Sequence, residues 1–210
     1  MNPQQEMVDR IRDHYGLDDS RVLSAMKTVP RHKFTPEKYQ YCAYDDRAVA
    51  IGHGQTISQP YTVAFMTHLM NLKGGEKVLE VGTGSGYQAA VLSLLCKEVY
   101  SAEIIRELAK EAEERLEKLG YKNVHVNFGS AEDAWANKAP FDSIIITAGL
   151  DKVPATLFDQ LKVGGKLVAP VGSKSHQIMT RYTKRKDKEM KKEEYEAYVF
   201  VPYVKIAKPK

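Results

Sequence analysis

The sequence of 210 residues is poor in the features that mark membrane, secreted and disulfide-rich proteins. No apolar run approaches the roughly 18 residues that a membrane-spanning helix needs. Residues 1–6, MNPQQE, lack the apolar core of a signal peptide. The only cysteines, Cys42 and Cys96, make neither a disulfide framework nor a metal site by themselves. We therefore expect a protein of the reducing cytoplasm, with no membrane partner and no bound metal.

Charge of one sign is also scarce, except in one segment. The chain has 31 basic and 27 acidic residues, a net charge of +4. Residues 184–192, KRKDKEMKK, hold six basic and two acidic side chains and so account for all of that excess. The 43% of hydrophobic and 28% of charged residues are ordinary for a globular protein. We expect a single domain over residues 1–210, monomeric, with one local basic segment.

From Lys77 onward, short apolar runs alternate with helical patterns. Apolar residues recur at helical spacing from Ile105 to Leu119, and the run Ile144–Ile146 suits a central strand that is buried on both faces. This alternation favours an α/β fold with a doubly wound, mostly parallel sheet, followed by a β-hairpin around the basic segment. The predicted elements are strands at 77–81, 98–102, 124–128, 141–147, 166–171, 178–183 and 195–204, helices at 86–95, 105–119 and 153–161, and a turn at Gly164-Gly165.

The first 70 residues follow a different pattern. Apolar spacing predicts short helices near residues 7–14 and 20–26, and a third helix that begins at Pro60. Residues 43–59 contain no good amphipathic helix, and their centre is interpreted as a loop. We expect a helical extension over residues 1–70 that forms part of a cleft, on a ligand-binding core over residues 71–210.

A glycine-rich turn follows the first strand of that core. Residues 78–90 read VLEVGTGSGYQAA, in which alternate glycines let the backbone turn sharply and approach a ligand closely. Tyr87 stands where the dinucleotide fingerprint needs a small residue, and no Lys-Ser/Thr pair follows as in a triphosphate-binding loop. The turn therefore predicts a ligand other than a dinucleotide or a nucleoside triphosphate.

Two carboxylates beside this turn indicate which ligand. Glu80 lies two residues before Gly82, where a carboxylate would repel a phosphate and attract a cationic group. Glu103 lies 21 residues after Gly82, at the end of the second strand, where it can accept both ribose hydroxyls. S-adenosylmethionine fits this pattern because it carries a sulfonium, an ammonium group and a ribose, and no phosphate. We expect it as the cofactor, with S-adenosylhomocysteine as its product.

Several motifs resemble the family of protein-L-isoaspartate O-methyltransferases. The most specific is G-Q-T-I-S-Q-P at residues 54–60, upstream of the glycine turn. The resemblance runs over most of the chain in the same order. The further matching segments are R-H-K-F at 31–34, F-D-S-I at 141–144, D-Q-L-K-V-G-G-K-L-V at 159–168, P-V-G at 170–172 and F-V-P at 200–202.

The resemblance implies a Rossmann-like class I S-adenosylmethionine-dependent methyltransferase that repairs damaged proteins. In this family the methyl group passes to the α-carboxylate of an L-isoaspartyl residue, and the ester then closes to a succinimide. A free α-carboxyl has a pKa near 3.3–3.7, so it is ionised at pH 7 and needs no general base. The resemblance assigns the catalytic position to Ser58. We interpret Ser58 as a hydrogen-bond donor, since no His-Asp pair at triad spacing is evident to activate it, and we expect Thr56, Ile57 and Ser58 to bind the substrate.

The sequence departs from the family pattern at two strand ends. After the third strand the family has Gly-Asp-Gly, and this chain has Gly129-Ser130-Ala131. After the fourth strand a run of small residues that ends in proline is replaced by residues 147–151, TAGLD. The glycine turn and the resemblance together predict these cofactor-binding residues: Glu80, Gly82, Thr83, Gly84, Gly86, Glu103, Ile104, Ser130 and Ala131.

Two other classes of function, nucleic-acid methylation and cofactor binding without catalysis, fit the sequence less well than protein repair. A nucleic-acid methyltransferase would use residues 184–192 to hold phosphates, but no aromatic residue lies inside that segment to stack a base, and Glu193-Glu194 offsets half of its charge. A non-enzymatic binding module would have no evident use for the intact G-Q-T-I-S-Q-P loop. We therefore expect isoaspartyl peptides and proteins as partners, and no nucleic acid.

Overall fold

A central seven-stranded sheet organises the chain. The computed structural model describes residues 2–187 and 189–203. The strands of the sheet are β3 (Lys77–Val81), β4 (Glu98–Glu103), β5 (Val124–Phe128), β6 (Phe141–Ile146), β7 (Leu161–Ser173), β8 (His176–Lys184) and β9 (Met190–Tyr198). Their order is β5-β4-β3-β6-β7-β8-β9, with parallel pairing from β5 to β7 and antiparallel pairing from β7 to β9. This confirms the mostly parallel sheet with a C-terminal hairpin.

Helices cover both faces of the sheet. The residues of β6 show why the sheet is central: Ile144 and Ile146 pack in the cluster on one face, Ile145 packs in the cluster on the other, and all three are fully buried. No helix of the described residues is long and apolar enough to cross a membrane. The helices are α1 (Pro3–Asp13), α2 (Ser20–Thr28), α3 (Pro60–Met70), α4 (Tyr87–Ser93), α5 (Arg106–Lys118) and α6 (Ala155–Asp159).

The elements around β7 differ from their prediction. The predicted helix 153–161 shrinks to α6, which begins after Pro154, because Leu161 already pairs with Phe141 as the first residue of β7. The Gly164-Gly165 pair, predicted as a turn, lies inside β7. There the register with β6 shifts between Phe141 and Ser143, so the glycines make an irregularity in a continuous strand rather than a turn.

The N-terminal extension contains a small hairpin in addition to its helices. The predicted loop 51–55 belongs to β1 (Val49–Gly52) and β2 (Gln55–Ile57), which pair antiparallel. His53 and Gly54 connect them with φ values of 50° and 70°. Positive φ at both central residues is typical of a tight hairpin turn. The hairpin carries Thr56 and leads directly to Ser58, so it positions part of the G-Q-T-I-S-Q-P motif.

The basic segment lies at the tip of the C-terminal hairpin. The predicted strand 178–183 is longer in the structure, where β8 runs to Lys184. The predicted strand 195–204 is shifted, since β9 begins at Met190 and ends at Tyr198; Val204 lies outside the described residues. Lys191 pairs with Glu193 at 3.0 Å, and Lys192 pairs with Glu194 at 2.5 Å. Lys184 Nζ donates to the carbonyl oxygens of Phe158 and Leu161 at 2.6 and 2.7 Å. Much of the segment's charge is thus engaged within the fold.

Candidate active site

A cavity of about 500 Å³ opens at the carboxyl ends of β3, β4 and β6. We call it the strand-end cavity. Among the described residues, Glu103 is the only Asp or Glu in its lining, and no Lys or Arg lines it. The described lining therefore offers no lysine or arginine to a phosphate. The lining residues are His53, Gln55, Thr56, Val81, Gly82, Gly84, Ala102, Glu103, Ile104, Ile105, Gly129, Ala131, Thr147, Ala148, Val201, Pro202 and Tyr203.

The glycine turn forms one wall of this cavity. Gly82 has φ +95°, and a Cβ at this position would lie 2.5 Å from Thr147 Oγ1. That hydroxyl lies 3.0 Å from the carbonyl oxygen of Val81 and 2.8 Å from that of Gly82, and donates to them. Only glycine allows this close approach, so the bare backbone faces the cavity. Gly86 does not line the cavity; its Cα packs towards Leu116 of α5.

The Glu103 carboxylate is held rigidly at the end of β4. Its Oε2 accepts from the backbone N–H of Gly84 at 2.8 Å, and its Oε1 accepts from Ile104 and Ile105 at 2.9 and 3.0 Å. Three backbone donors fix the orientation of the group, and a carboxylate has about four lone-pair sites. Glu103 can therefore accept further hydrogen bonds from a ligand without moving.

Glu80 and Thr83 lie behind the cavity rather than on its lining. Glu80 is fully buried, accepts a hydrogen bond from Ser101 Oγ, and has its second oxygen without a partner among the described residues. Burial raises the pKa of Glu80 to about 8, so the carboxyl is largely protonated at pH 7. Thr83 Oγ1 lies 2.5 Å from the same Ser101 hydroxyl. The structure does not bring Glu80 to a position where it meets a cationic ligand in the cavity.

The segment after β5 contributes less than the sequence predicts. Ala131 and Ile104 line the strand-end cavity, as expected for cofactor contacts. Ser130 does not line it; its hydroxyl donates to Asp133 Oδ2 at 3.0 Å. In the described residues no group of three or more His, Cys, Asp or Glu is placed to hold a metal ion.

A second and larger cavity adjoins the first. This acceptor cleft measures about 760 Å³, and Ser58 lies in its wall. Thr56, Thr147 and Val201 line both cavities, so the two spaces meet at these residues. Ile57 is buried and lines the narrow space between them, together with Ser58, Gly84 and Thr147. The G-Q-T-I-S-Q-P motif thus forms the boundary between the two cavities.

Ser58 belongs to the lining of the acceptor cleft. Its carbonyl oxygen accepts from Arg31 Nη2 at 2.7 Å, whereas its hydroxyl makes no hydrogen bond within the part of the chain that the structure describes. Among the described residues, no histidine lines the acceptor cleft or the narrow space beside it. No histidine is therefore placed to activate Ser58 as a nucleophile, and its role as a hydrogen-bond donor stays a prediction.

Aromatic rings and carboxylates shape the far wall of the acceptor cleft. The rings of Tyr15 and Tyr61 stack with centroids 3.9 Å apart. Tyr15 donates to Asp46 Oδ2 at 2.5 Å, and Tyr61 donates to Glu196 Oε2 at 3.3 Å. All four side chains line the cleft. The lining therefore combines a flat aromatic surface with two carboxylates, and it also contains Arg47, which pairs with Asp45 at 3.2 Å.

The comparisons with known proteins agree with this geometry. The sequence model of the protein-L-isoaspartate(D-aspartate) O-methyltransferase family matches residues 2–208. The chain belongs to this family. Its relatives include a protein-L-isoaspartate O-methyltransferase of Opitutus terrae, 51% identical over 188 residues, which are 89% of this chain and 81% of the relative. A second, from Nitrosococcus oceani, is 50% identical over 211 residues and 96% of each chain.

Two solved structures extend the agreement to the fold. One protein-L-isoaspartate O-methyltransferase has a TM-score of 0.86 and 28% identity over 96% of this chain, which spans 66% of the length of that longer chain. The family member from Plasmodium falciparum, solved in complex with S-adenosyl-L-homocysteine, has a TM-score of 0.84 and 25% identity over 96% of this chain and 98% of the other. This isoaspartate methyltransferase is therefore a class I, S-adenosylmethionine-dependent enzyme that acts on isoaspartyl residues of damaged proteins.

Several residues that line the two cavities of the enzyme carry no local signal in the sequence that marks them as site residues. Residues 201–203 close the strand-end cavity, held by Gly149 N–H donating to the Val201 oxygen at 2.8 Å. The F-V-P motif at 200–202 was a signal for this segment, but nothing in it indicated which side of the fold it covers. Thr147 lines both cavities and was noted only as a departure from the family pattern. Tyr15, Asp46 and Glu196 meet only through the folded chain, so no local signal marks them.

Proposed function

We propose that the strand-end cavity holds S-adenosylmethionine, that the acceptor cleft holds the isoaspartyl segment of a client protein, and that methyl transfer takes place where they meet. One observation carries this assignment: the two cavities share Thr56 and Thr147, and Ser58 lies directly on the acceptor side. A methyl donor and an acceptor that are bound in adjoining cavities can react by in-line displacement where the two cavities meet.

The residues of the strand-end cavity fit this cofactor. The lining has no lysine or arginine in the described chain, which suits a ligand with a positive charge and no phosphate. Glu103, fixed by three backbone donors, would accept the ribose hydroxyls, and Gly82 and Gly84 would let the backbone approach the rest of the molecule. Ile104 and Ala131 offer apolar surface for the base. When bound, S-adenosylmethionine supplies a methyl group activated by a sulfonium.

The acceptor side needs orientation rather than proton transfer. The α-carboxylate of an isoaspartyl residue is already an anion near pH 7. Ser58 Oγ would donate a hydrogen bond to one carboxylate oxygen and leave the other to form the new ester bond as the carbon–sulfur bond breaks. Holding the two reactants in line contributes on the order of 7–11 kcal/mol to a reaction of this kind. Thr56 and Ile57 close the boundary and exclude water from the nucleophile.

We further propose that the enzyme acts in the cytoplasm on peptides and proteins and does not bind nucleic acid. The basic segment supports this reading because Lys184, Lys191 and Lys192 are engaged with carbonyl oxygens or glutamates. An exposed stripe of unpaired cations, which a phosphate backbone requires, is not formed by these side chains.

An activity assay tests the proposed function. Labelled S-adenosylmethionine is incubated with the full chain and an isoaspartyl peptide, and in parallel with the peptide of identical sequence that contains normal aspartate. We expect base-labile methyl label in the isoaspartyl peptide only, because the aspartyl twin presents its α-carboxyl as a peptide bond. Equal labelling of both peptides, or of neither, would refute the proposal.

A further inference from the structure

The buried guanidinium of Arg31 stands out among the charged groups of the enzyme. Its side chain is fully buried, and it has no ion-pair partner among the described residues. Nε donates to the carbonyl oxygen of Ala43 at 2.7 Å and Nη2 donates to that of Ser58 at 2.7 Å, while Nη1 has no hydrogen-bond partner in the described chain. A buried cation without a carboxylate is costly, so its two backbone contacts need an explanation.

These contacts join three parts of the candidate site. Ala43 leads into the segment 46–48, which lines the acceptor cleft. Ser58 lies in the cleft wall nearest to the strand-end cavity. The guanidinium carbon also lies 4.9 Å from the ring centroid of Tyr87, the first residue of α4 directly after the glycine turn. The Arg31 side chain therefore links the chain before segment 46–48, the loop that contains Ser58, and the start of α4.

We propose that Arg31 is a positioning residue that fixes the Ser58 loop in the geometry needed to receive the isoaspartyl carboxylate. The planar fork of an arginine holds two acceptors at a set distance and angle, which the single ammonium of lysine does not reproduce. Its charge, unpaired and behind the loop, also favours the anionic acceptor over a neutral group. The inference rests on the proposed function of the acceptor cleft.

If Arg31 positions the acceptor, its substitution should lower kcat/KM for the isoaspartyl peptide and leave the affinity for the cofactor product unchanged. A displacement of about 1 Å at the reacting atoms costs roughly a hundredfold in rate. We therefore expect Arg31→Met to lower kcat/KM for the isoaspartyl peptide about a hundredfold. Arg31→Lys should lower it roughly tenfold, because it keeps the charge and loses the fork. The affinity for S-adenosylhomocysteine, which contacts the other cavity, should change by less than about twofold.

Arg21 provides a matched control. Its guanidinium also donates to two backbone carbonyl oxygens, those of Leu72 at 2.5 Å and Leu95 at 3.4 Å. None of these three residues lines either cavity. Arg21→Lys should therefore leave kcat/KM for the peptide within about twofold of wild type, whatever it does to the thermal midpoint.

The experiment measures kcat and KM for the isoaspartyl peptide, calorimetric S-adenosylhomocysteine affinity and thermal midpoints for the wild type, Arg31→Lys, Arg31→Met and Arg21→Lys. A loss of peptide kcat/KM in the Arg31 variants with retained product affinity supports the inference. An unchanged kcat/KM, a parallel loss of product affinity, or failure of Arg31→Lys to fold while Arg21→Lys folds would overturn it. A wild-type enzyme that does not label the isoaspartyl peptide would refute the proposed function itself, which distinguishes the two failures.

Discussion

Glu103 provides the sharpest prediction about the cofactor. We expect Glu103→Ala to weaken binding of S-adenosylhomocysteine because this carboxylate is the one acidic group among the described residues of the strand-end cavity and is aligned by three backbone N–H groups. A hydrogen bond to a charged group contributes about 1.5–3 kcal/mol. Two ribose hydroxyls at the lower end of that range give about 3 kcal/mol, or roughly a hundredfold in Kd.

The variants for this test separate charge from geometry. Glu103→Gln keeps one acceptor oxygen, but its NH₂ group cannot accept from the Gly84 N–H, so we expect an intermediate loss of about tenfold. Glu98 lies at the other end of β4 and accepts from Tyr100 Oη at 2.6 Å, outside the cavity. Glu98→Gln is therefore the control and should bind the product like the wild type.

Calorimetry below the thermal midpoint of each variant is the assay for Glu103. Glu103→Ala also removes the acceptor of three backbone donors, so its ligand-free stability is recorded alongside the affinity. A Kd for Glu103→Ala within about twofold of wild type, in a protein that remains folded, would refute the placement of the ribose at the end of β4.

Three further predictions address the acceptor side and the buried acid. Ser58→Ala should lower kcat for the isoaspartyl peptide by roughly ten- to a hundredfold, the worth of one hydrogen bond to a carboxylate, with the product Kd unchanged; an unchanged kcat would reject its role. Burial raises the folded-state pKa of Glu80 to about 8 from an ordinary value of 4.5, so its contribution to stability is present below pH 4.5 and is lost as the pH rises towards 8. Glu80→Gln should therefore gain free energy of unfolding relative to wild type between about pH 5 and pH 8, and a constant difference in denaturant titrations would contradict this. Asp46 and Glu196 line the acceptor cleft, and Arg47 in the same lining is paired with Asp45, so a peptide with lysine beside the isoaspartate should show a lower KM than its glutamate counterpart, by about threefold. Glu196→Gln should reduce that ratio, and equal KM values in the wild type would contradict a net negative lining.

The sequence predicted those elements whose signal is local. Helix α5 was visible because its apolar residues repeat every third or fourth position, and Leu108, Ala109, Ala112 and Leu116 are all buried in the structure. Strand β6 could be predicted because three consecutive isoleucines place apolar side chains on both faces of a strand, as a central buried strand requires. By contrast, β1 and β2 have four and three residues, too few for alternation to emerge from a polar loop. The glycine pair in β7 looked like a turn because nothing local shows that the strand pairing continues through it.

The direction of side chains within the site was harder to predict than its position. The glycine turn and Glu103 lie at the strand ends and line the cavity, whereas the sequence predicts that Glu80 faces the ligand. Because side chains alternate along β3, Glu80 lies on the same face as Val78, where it accepts a hydrogen bond from Ser101 of the paired strand β4. The position of Ser101 depends on how β3 and β4 pair, which the sequence around Glu80 does not show. The acceptor cleft likewise joins Tyr15, Asp46 and Glu196 from distant parts of the chain, and only the folded topology brings them together.

A crystal structure of the enzyme with S-adenosylhomocysteine and an isoaspartyl peptide would test whether cofactor and acceptor occupy two cavities that meet at Thr56 and Thr147. We expect ribose hydroxyls within hydrogen-bond distance of the Glu103 carboxylate. We also expect the isoaspartyl α-carboxylate within hydrogen-bond distance of Ser58 Oγ, facing the thioether sulfur. A ribose bound away from Glu103, or an α-carboxylate held elsewhere than at the Thr56–Ser58 boundary, would contradict it.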